Sequence, residues 1–110
     1  MNNMNTKIQS KGFTTKKELE NFIQEKTEKL FHLYEKTLSC EVVLKIEKSG
    51  TRDNKLCDIR MVIPGNDLLA GGRSNTFEEA TMQAIEALER QIHRKKTRTS
   101  QRLNGKSELK

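Results

Sequence analysis

The sequence predicts an α+β fold with the element order β-α-β-β-β-α, in which a four-stranded sheet carries two helices on one face. Two segments of alternating apolar and polar residues are separated by a turn-rich loop, which predicts a β-hairpin. Two longer segments follow capping signals and have apolar residues three and four positions apart, which predicts amphipathic helices. Because each element has one apolar side, we expect the core to lie between the sheet and both helices.

The first third of the chain predicts a strand followed by a helix. Residues Met4–Gln9 alternate weakly, and Lys11-Gly12 supplies a turn. Thr15 and Glu18 have the spacing of a capping box at a helix start. The helix then presents one apolar face, made of Leu19, Phe22, Ile23, Leu30, Leu33 and Tyr34. A right-handed crossover would place the first two strands parallel.

The predicted hairpin joins strands Cys40–Lys48 and Lys55–Ile63 through the loop Ser49–Asn54. Folding around that loop pairs apolar residues on one face, namely Ile46 with Cys57, Leu44 with Ile59, Val42 with Met61 and Cys40 with Ile63. On the other face Lys45 would oppose Asp58. The two cysteines would then lie far apart along the hairpin, so no disulfide is expected.

The last strand is predicted over Leu68–Asn75, after a turn at Pro64–Asp67. Gly71 and Gly72 weaken this strand and allow either a close backbone approach or a bulge. The glycine pair is not a phosphate-binding loop, because it lacks the Lys-Ser/Thr signature of such loops and is not followed directly by a helix.

The second helix is predicted over Thr76–Arg98, with Thr76 as N-cap and Glu79 completing a capping box. Its apolar stripe consists of Phe77, Ala80, Ala84, Leu88 and Ile92. The stripe would continue at Lys95, which is charged. We therefore expect the final turns to extend past the core into solvent.

A chain of 110 residues is one domain, here residues 1–98, followed by a flexible basic tail over 99–110. The chain has no apolar run near eighteen residues and no apolar signal-peptide centre, which predicts a cytoplasmic protein without a membrane span. His32 and His93 are isolated, and the cysteines lack the spacing of zinc ligands. We expect no enzyme activity, metal, cofactor or small-molecule substrate.

Positive charge is concentrated at one end of the chain. Residues 90–110 contain eight Lys and Arg and one acid, a net charge of +7, whereas residues 1–89 contain 13 basic and 14 acidic residues, a net charge of −1. A basic end on a near-neutral body is typical of a polyanion-binding protein. The alternatives are that these cations only complement the helix dipole or keep the protein soluble. Only five residues are aromatic, which favours recognition of RNA backbone and shape over base stacking.

Lys26 lies within the apolar arc of the first helix. Its stem is expected to cover the core while its ammonium extends into a groove between the helices. The sequence leaves open whether a phosphate or solvent meets the ammonium there. Lys29 lies beside the arc.

Three motifs resemble the ribosome hibernation promoting factor family, which includes the ribosome-associated inhibitor and sigma-54 modulation proteins. The similarity spans Ile8 to Lys96, and its strongest parts are Phe22-Ile23…Lys26…Lys29-Leu30, VVLKIEK at Val42–Lys48 and LERQIHRKK at Leu88–Lys96. The sequence departs from the family pattern at Ser10, where a glycine is frequent, and at Gly71-Gly72-Arg73. It also ends without the C-terminal dimerisation domain of the long form, so we do not expect it to pair ribosomes by itself.

The resemblance implies a fold similar to double-stranded RNA-binding domains and binding in the decoding channel of the small ribosomal subunit, where the protein would block translation under stress. The family's RNA-facing basic residues correspond here to Lys26, Lys29, Arg90, Arg94, Lys95 and Lys96. Arg98 is added from charge alone. Two other functions remain open from the sequence: a regulatory protein-interaction module and a general binder of double-stranded RNA.

Overall fold

A computed structural model describes residues 5–47 and 53–108, with side chains of the second range described to residue 97. The elements are β1 (Thr6–Lys11), α1 (Lys17–Leu33), β2 (Ser39–Ile46), β3 (Lys55–Val62), β4 (Leu68–Ser74) and α2 (Phe77–Glu108). The strands lie in the order β1-β2-β3-β4, with β1 parallel to β2 and the other neighbours antiparallel. The predicted fold class is confirmed.

The core is formed by the inward side chains of β2 and β3 together with the apolar stripes of both helices. Its fully buried members include Cys40, Val42, Leu44, Cys57, Ile59 and Met61 from the strands and Ile23, Leu30, Ala84, Ile85, Leu88 and Ile92 from the helices. A buried hydroxyl pair also joins β1 to α1, since Thr6 Oγ1 lies 3.1 Å from Thr27 Oγ1. The stripe that the sequence predicts on α1 omits Thr27, because threonine is not counted as apolar.

The predicted capping box at the start of α1 is wrong. The helix begins at Lys17, and the N-cap is Lys16, which has an extended backbone and makes no side-chain capping hydrogen bond. The preceding segment instead carries Phe13 onto Phe77, with the ring centroids 5.0 Å apart and the rings nearly parallel. Thr15 precedes the N-cap by one residue, so its side chain does not supply the capping hydrogen bond, which is typically worth about 1 kcal/mol. The stacking of Phe13 on Phe77 instead stabilises the segment before the helix.

The predicted N-cap of α2 is confirmed. Thr76 Oγ1 accepts a hydrogen bond from the Glu79 backbone N–H at 3.1 Å. The other half of the predicted capping box is not formed, because the Glu79 carboxylate accepts a hydrogen bond from the Ser74 hydroxyl rather than from the Thr76 N–H. The α2 backbone is helical to Glu108, beyond the predicted end at Arg98. Flexibility of residues 99–110 stays a prediction, since their side chains lie outside the described part of the chain.

The register predicted for the β2–β3 hairpin is wrong by two residues. The observed partners are Leu44 and Cys57, Val42 and Ile59, and Cys40 and Met61. The inward face is the predicted one, because a shift of two residues preserves side-chain alternation. Alternation therefore identifies the buried face and leaves the shift of two undetermined.

The corrected register also separates the predicted pair of Lys45 and Asp58. Lys45 lies opposite Leu56, and Asp58 lies opposite Val43. One more hydrogen bond extends the pairing beyond β2 and β3, from the Glu47 N–H to the Asn54 carbonyl at 2.8 Å. Asn54, which the sequence predicts in the loop, is therefore paired. Most of the predicted loop Ser49–Asn54, and Met4 of the predicted first strand, lie outside the described residues.

Gly72 is the point of closest approach between β4 and α2. A Cβ atom built on Gly72 would lie 2.0 Å from the Ala80 carbonyl oxygen and 2.9 Å from its carbon. The pairing of β3 with β4 is continuous from Lys55 opposite Ser74 to Met61 opposite Leu68. Of the two roles that the sequence allows for the glycine pair, close approach is observed and a bulge is not.

Substitution of Gly72 by alanine is expected to lower the free energy of unfolding by about 3 kcal/mol or more, because the new methyl group meets backbone atoms that cannot move independently of α2. Gly71→Ala is the matched control. Its Cβ would approach the Asp58 carboxylate, which can rotate away, and would lie at an ordinary contact distance of 3.6 Å from the Cys57 carbonyl oxygen. Stability should therefore stay within about 1 kcal/mol of the parent. Urea denaturation measures both, and equal losses would contradict the assigned contact.

Cys40 and Cys57 are free, buried thiols, as the sequence predicts. Burial raises the pKa of Cys40 to about 12. Burial also raises the pKa of Cys57, to about 11, although Thr81 Oγ1 donates a hydrogen bond to its sulfur at 3.4 Å and thereby opposes the rise. Both thiols are therefore protonated in the folded protein across the physiological pH range.

Raised thiol pKa values predict a loss of stability at alkaline pH. The unfolded chain releases the thiol protons near pH 9, while the folded chain retains them until about pH 11–12. The folded state therefore binds more protons in this window, and stability falls by about 1.4 kcal/mol per pH unit for each thiol. Between pH 8 and 11 the free energy of unfolding should fall less steeply with pH in Cys40→Ala/Cys57→Ala than in the parent protein. Identical slopes for the two proteins would rule out the thiols as the cause.

Candidate nucleic-acid interface

The two helices run in the same direction and end on the same side of the molecule. Phe13 and Phe77 stack beside the helix starts, and near the other end the Lys96 ammonium donates a hydrogen bond to the Leu33 carbonyl at 3.0 Å. The negative end of the α1 dipole and the later turns of α2 therefore meet in one region, where cations are electrostatically favoured. Most of the predicted RNA-binding residues lie in this region.

On α1 the structure separates the two predicted lysines by their environments. Lys26 is half-buried, and its ammonium lies 5.3 Å from the centre of the Phe22 ring, a cation–π distance. Lys29 is 61% exposed, and its ammonium lies 3.8 Å from a Glu89 carboxylate oxygen on α2. An ion pair of this exposure contributes about 0–1 kcal/mol, so it orders Lys29 only weakly and leaves its ammonium accessible.

On α2 the predicted residues fall into three groups. Arg90 and Arg94 are exposed, are four residues apart on one helix face, and make no hydrogen bond or ion pair within the described part of the chain. Lys95 is half-buried and interacts within the protein, and Lys96 binds the end of α1. Arg98 belongs to the helix, but its side chain lies outside those described.

A further cation at this end was missed by the sequence analysis. Lys36 lines a shallow depression of about 290 Å³ together with Lys96, His32 and Tyr34. Lys36 is exposed and follows α1 directly, where the apolar periodicity ends and no pattern assigns it to a surface. We call Lys36, Arg90, Arg94 and Lys96 the cationic end.

The cationic end can bind a polyanion without first breaking strong internal ion pairs. None of its four members lies within 4.0 Å of a carboxylate in the described residues, and Glu35 is the one acid that lines the depression. Guanidinium groups suit phosphates because they donate parallel hydrogen bonds. Arg90 and Arg94 are therefore the strongest candidates for RNA contacts.

The sigma-54 modulation protein and S30EA ribosomal protein family matches residues 6–100 of the sequence. The chain belongs to this family. The family consists of ribosome-associated proteins that are not enzymes, in agreement with the expectation from the sequence. A comparison with curated protein sequences gave no significant match.

Solved structures share the fold at low sequence identity. A ribosomal subunit interface protein from Coxiella burnetii superposes with a TM-score of 0.74 at 16% identity, covering 84% of this chain and 97% of the other. The N-terminal domain of Protein Y from Thermus thermophilus gives a TM-score of 0.69 at 20% identity, covering 86% and 98%. These likenesses cover more than four fifths of this chain and support the fold assignment.

The described residues contain neither a candidate metal site nor a candidate membrane-spanning helix. They contain no group of three or more His, Cys, Asp or Glu side chains that could hold a metal ion. None of the helices among them combines the length and the apolar character needed to cross a membrane.

The Lys96 contact predicts a structural role for one member of the cationic end. Lys96→Met removes the hydrogen bond to the Leu33 carbonyl while keeping the aliphatic stem, and should lower the free energy of unfolding by about 1 kcal/mol. Arg94→Met removes a charge of the same sign that has no partner among the described side chains, so its effect should stay within about 0.5 kcal/mol. Chemical denaturation of both variants tests the difference, and a larger loss for Arg94→Met would contradict it.

Proposed function

We propose that the protein binds the small ribosomal subunit through ribosomal RNA, occupies its decoding channel, and thereby inhibits translation and promotes ribosome hibernation under stress. The observation that carries the proposal is the cationic end, where Arg90 and Arg94 are exposed and have no partner among the described residues. Membership of a ribosome-associated family supports a ribosomal partner, and a ribosomal partner implies a location in the cytoplasm.

The electrostatics of the chain favour RNA as the contacted component. Residues 90–110 carry +7 on a body of −1, so the field of the protein orients its α2 end toward an anionic surface. Each phosphate neutralised by Lys or Arg releases counterions, which gives binding that weakens steeply with salt. All five aromatic residues are packed against the core, which leaves few rings for stacking on unpaired bases.

Inhibition would be steric. A folded domain placed where messenger RNA and transfer RNA bind excludes both, and no reaction is needed. The resemblance to hibernation factors supports the decoding channel as the binding site. Under this proposal Lys26 and Lys29 of α1 add contacts beside those of the cationic end.

Co-sedimentation with small ribosomal subunits over a salt series tests the proposal. Arg90→Gln/Arg94→Gln should weaken binding at least tenfold, equivalent to about 1.4 kcal/mol, and should make the slope of log K against log salt less negative by about 2. The folded state should be retained, because neither side chain makes an ion pair or hydrogen bond in the part of the chain that the structure describes.

Lys16→Gln/Lys17→Gln is the matched control, since it removes two exposed charges at the opposite end of the helical layer. Its effect on affinity should be several-fold smaller. Binding of the parent protein that is absent at low salt, or a double arginine variant that binds as the parent does, would contradict the proposal.

Translation assays and duplex binding separate the proposal from its alternatives. Addition of the parent protein should inhibit translation in vitro, and excess messenger and transfer RNA should relieve the inhibition. Equal affinity for any A-form duplex would indicate a general double-stranded RNA binder. Activity that is independent of Arg90 and Arg94 would indicate a protein-interaction module.

A further inference from the structure

The outward face of the sheet carries a pair of lysines whose position is unfavourable for folding. In the parallel pairing of β1 with β2, Lys11 lies directly opposite Lys45, and both side chains are exposed. Neighbouring strands lie about 4.8 Å apart, so the two stems leave the sheet side by side. Like charges placed directly opposite one another destabilise a sheet.

The described residues provide no counter-ion for this pair. Neither lysine makes a hydrogen bond or ion pair among the described residues. Residues 1–4 and 48–52, which the structure does not describe, contain no Asp or Glu. The pair is therefore a concentration of positive charge that the fold itself leaves unneutralised.

Asp58, the carboxylate that the sequence assigns to Lys45, is directed elsewhere. It lies opposite Val43, and its Oδ1 atom would be 2.5 Å from a Cβ on Gly71, which places the carboxylate over β4. Glu47, the acid next along β2 on the same face, lies 2.5 Å from an Arg73 guanidinium nitrogen. Both nearby acids thus lie toward β4, on the far side of β2 and β3 from Lys11.

We propose that Lys11 and Lys45 form a second RNA-phosphate contact, on the sheet face and at the opposite end of the molecule from the cationic end. An RNA phosphate neutralises two adjacent cations that destabilise the free protein, so the charge complementarity favours this ligand. The pair lies at the end of the sheet from which both helices start. Arg94 lies about 25 Å from the start of α2, measured along the helix axis.

This inference rests on the proposed function and extends it. A domain held in an RNA-lined channel meets RNA on more than one side, and two contacts at opposite faces and opposite ends would fix its orientation. The cationic end and the α1 lysines would contact RNA from the helical face alone. The sheet contact supplies the second point that orients it.

The test compares Lys11→Gln/Lys45→Gln with the parent on small ribosomal subunits. Affinity should fall about five- to tenfold, and the slope of log K against log salt should become less negative by up to 2. Stability should be unchanged or slightly higher, because a like-charge pair is removed. Lys7→Gln is the control on the same strand and face, since Lys7 lies opposite Glu41 rather than a cation. Its effect on affinity should be smaller than that of Lys11→Gln alone or Lys45→Gln alone.

Hydroxyl-radical footprinting at saturating protein identifies the partner. The double lysine variant should lose protection of one ribosomal RNA segment and keep the segment that depends on Arg90 and Arg94. An unchanged salt slope would overturn the inference. So would a reduced slope without loss of any RNA protection, which would assign the lysines to an acidic ribosomal protein. If the sheet variant binds normally while the arginine variant does not, the inference fails and the proposed function stands.

Discussion

Burial of one face of the sheet against two parallel helices is the interaction on which the rest of the structure depends. Every second residue from 40 to 44 in β2 and from 57 to 61 in β3 is apolar and buried, and the apolar stripes of α1 and α2 cover these side chains. Because both helices start at the stacked rings of Phe13 and Phe77, they also finish on one side. The core therefore determines where the charged end of α2 is presented.

The basic residues gathered there do not share one role. Lys26 contacts an aromatic ring, Lys29 contacts Glu89, and Lys96 binds the last turn of α1. These contacts are individually weak, in the range of about 0.5–1.5 kcal/mol. The contacts of Lys29 and Lys96 join α1 to α2, whereas Arg90 and Arg94 are exposed on α2. Positioning and binding are thus divided between neighbouring cations of the same helical layer.

Much of this fold follows from patterns visible in the sequence. Alternation along Cys40–Ile46 and the stripe through Ala84, Leu88 and Ile92 identify the buried faces correctly, and Thr76 identifies the start of α2. Features that depend on distant partners do not follow. Registers of the hairpin that differ by two residues bury the same face, and the conformation of the loop selects between them. The start of α1 depends on the contact of Phe13 with Phe77, which are sixty-four residues apart in sequence.

The candidate site shows the same division between local and distant information. Charge counting locates the basic end of the chain, yet it cannot distinguish Arg94, which has no partner in residues 5–47 and 53–97, from Lys96, which donates to the last turn of α1. Lys36 joins the cationic end only because α1 and α2 are parallel. Sequence spacing equally conceals the pairing of Lys11 with Lys45, since thirty-four residues separate them and the parallel register of β1 and β2 brings them together.

The central claim is that one end of the helical layer, whose exposed arginines have no counter-ion among the described residues, is the surface that binds ribosomal RNA. A reconstruction by electron cryomicroscopy of the protein on the small ribosomal subunit tests it most directly. The account predicts the domain in the decoding channel, with the guanidinium groups of Arg90 and Arg94 within ion-pair distance of RNA phosphates. A complex in which those two side chains face solvent, or in which the domain binds outside the channel, would contradict it.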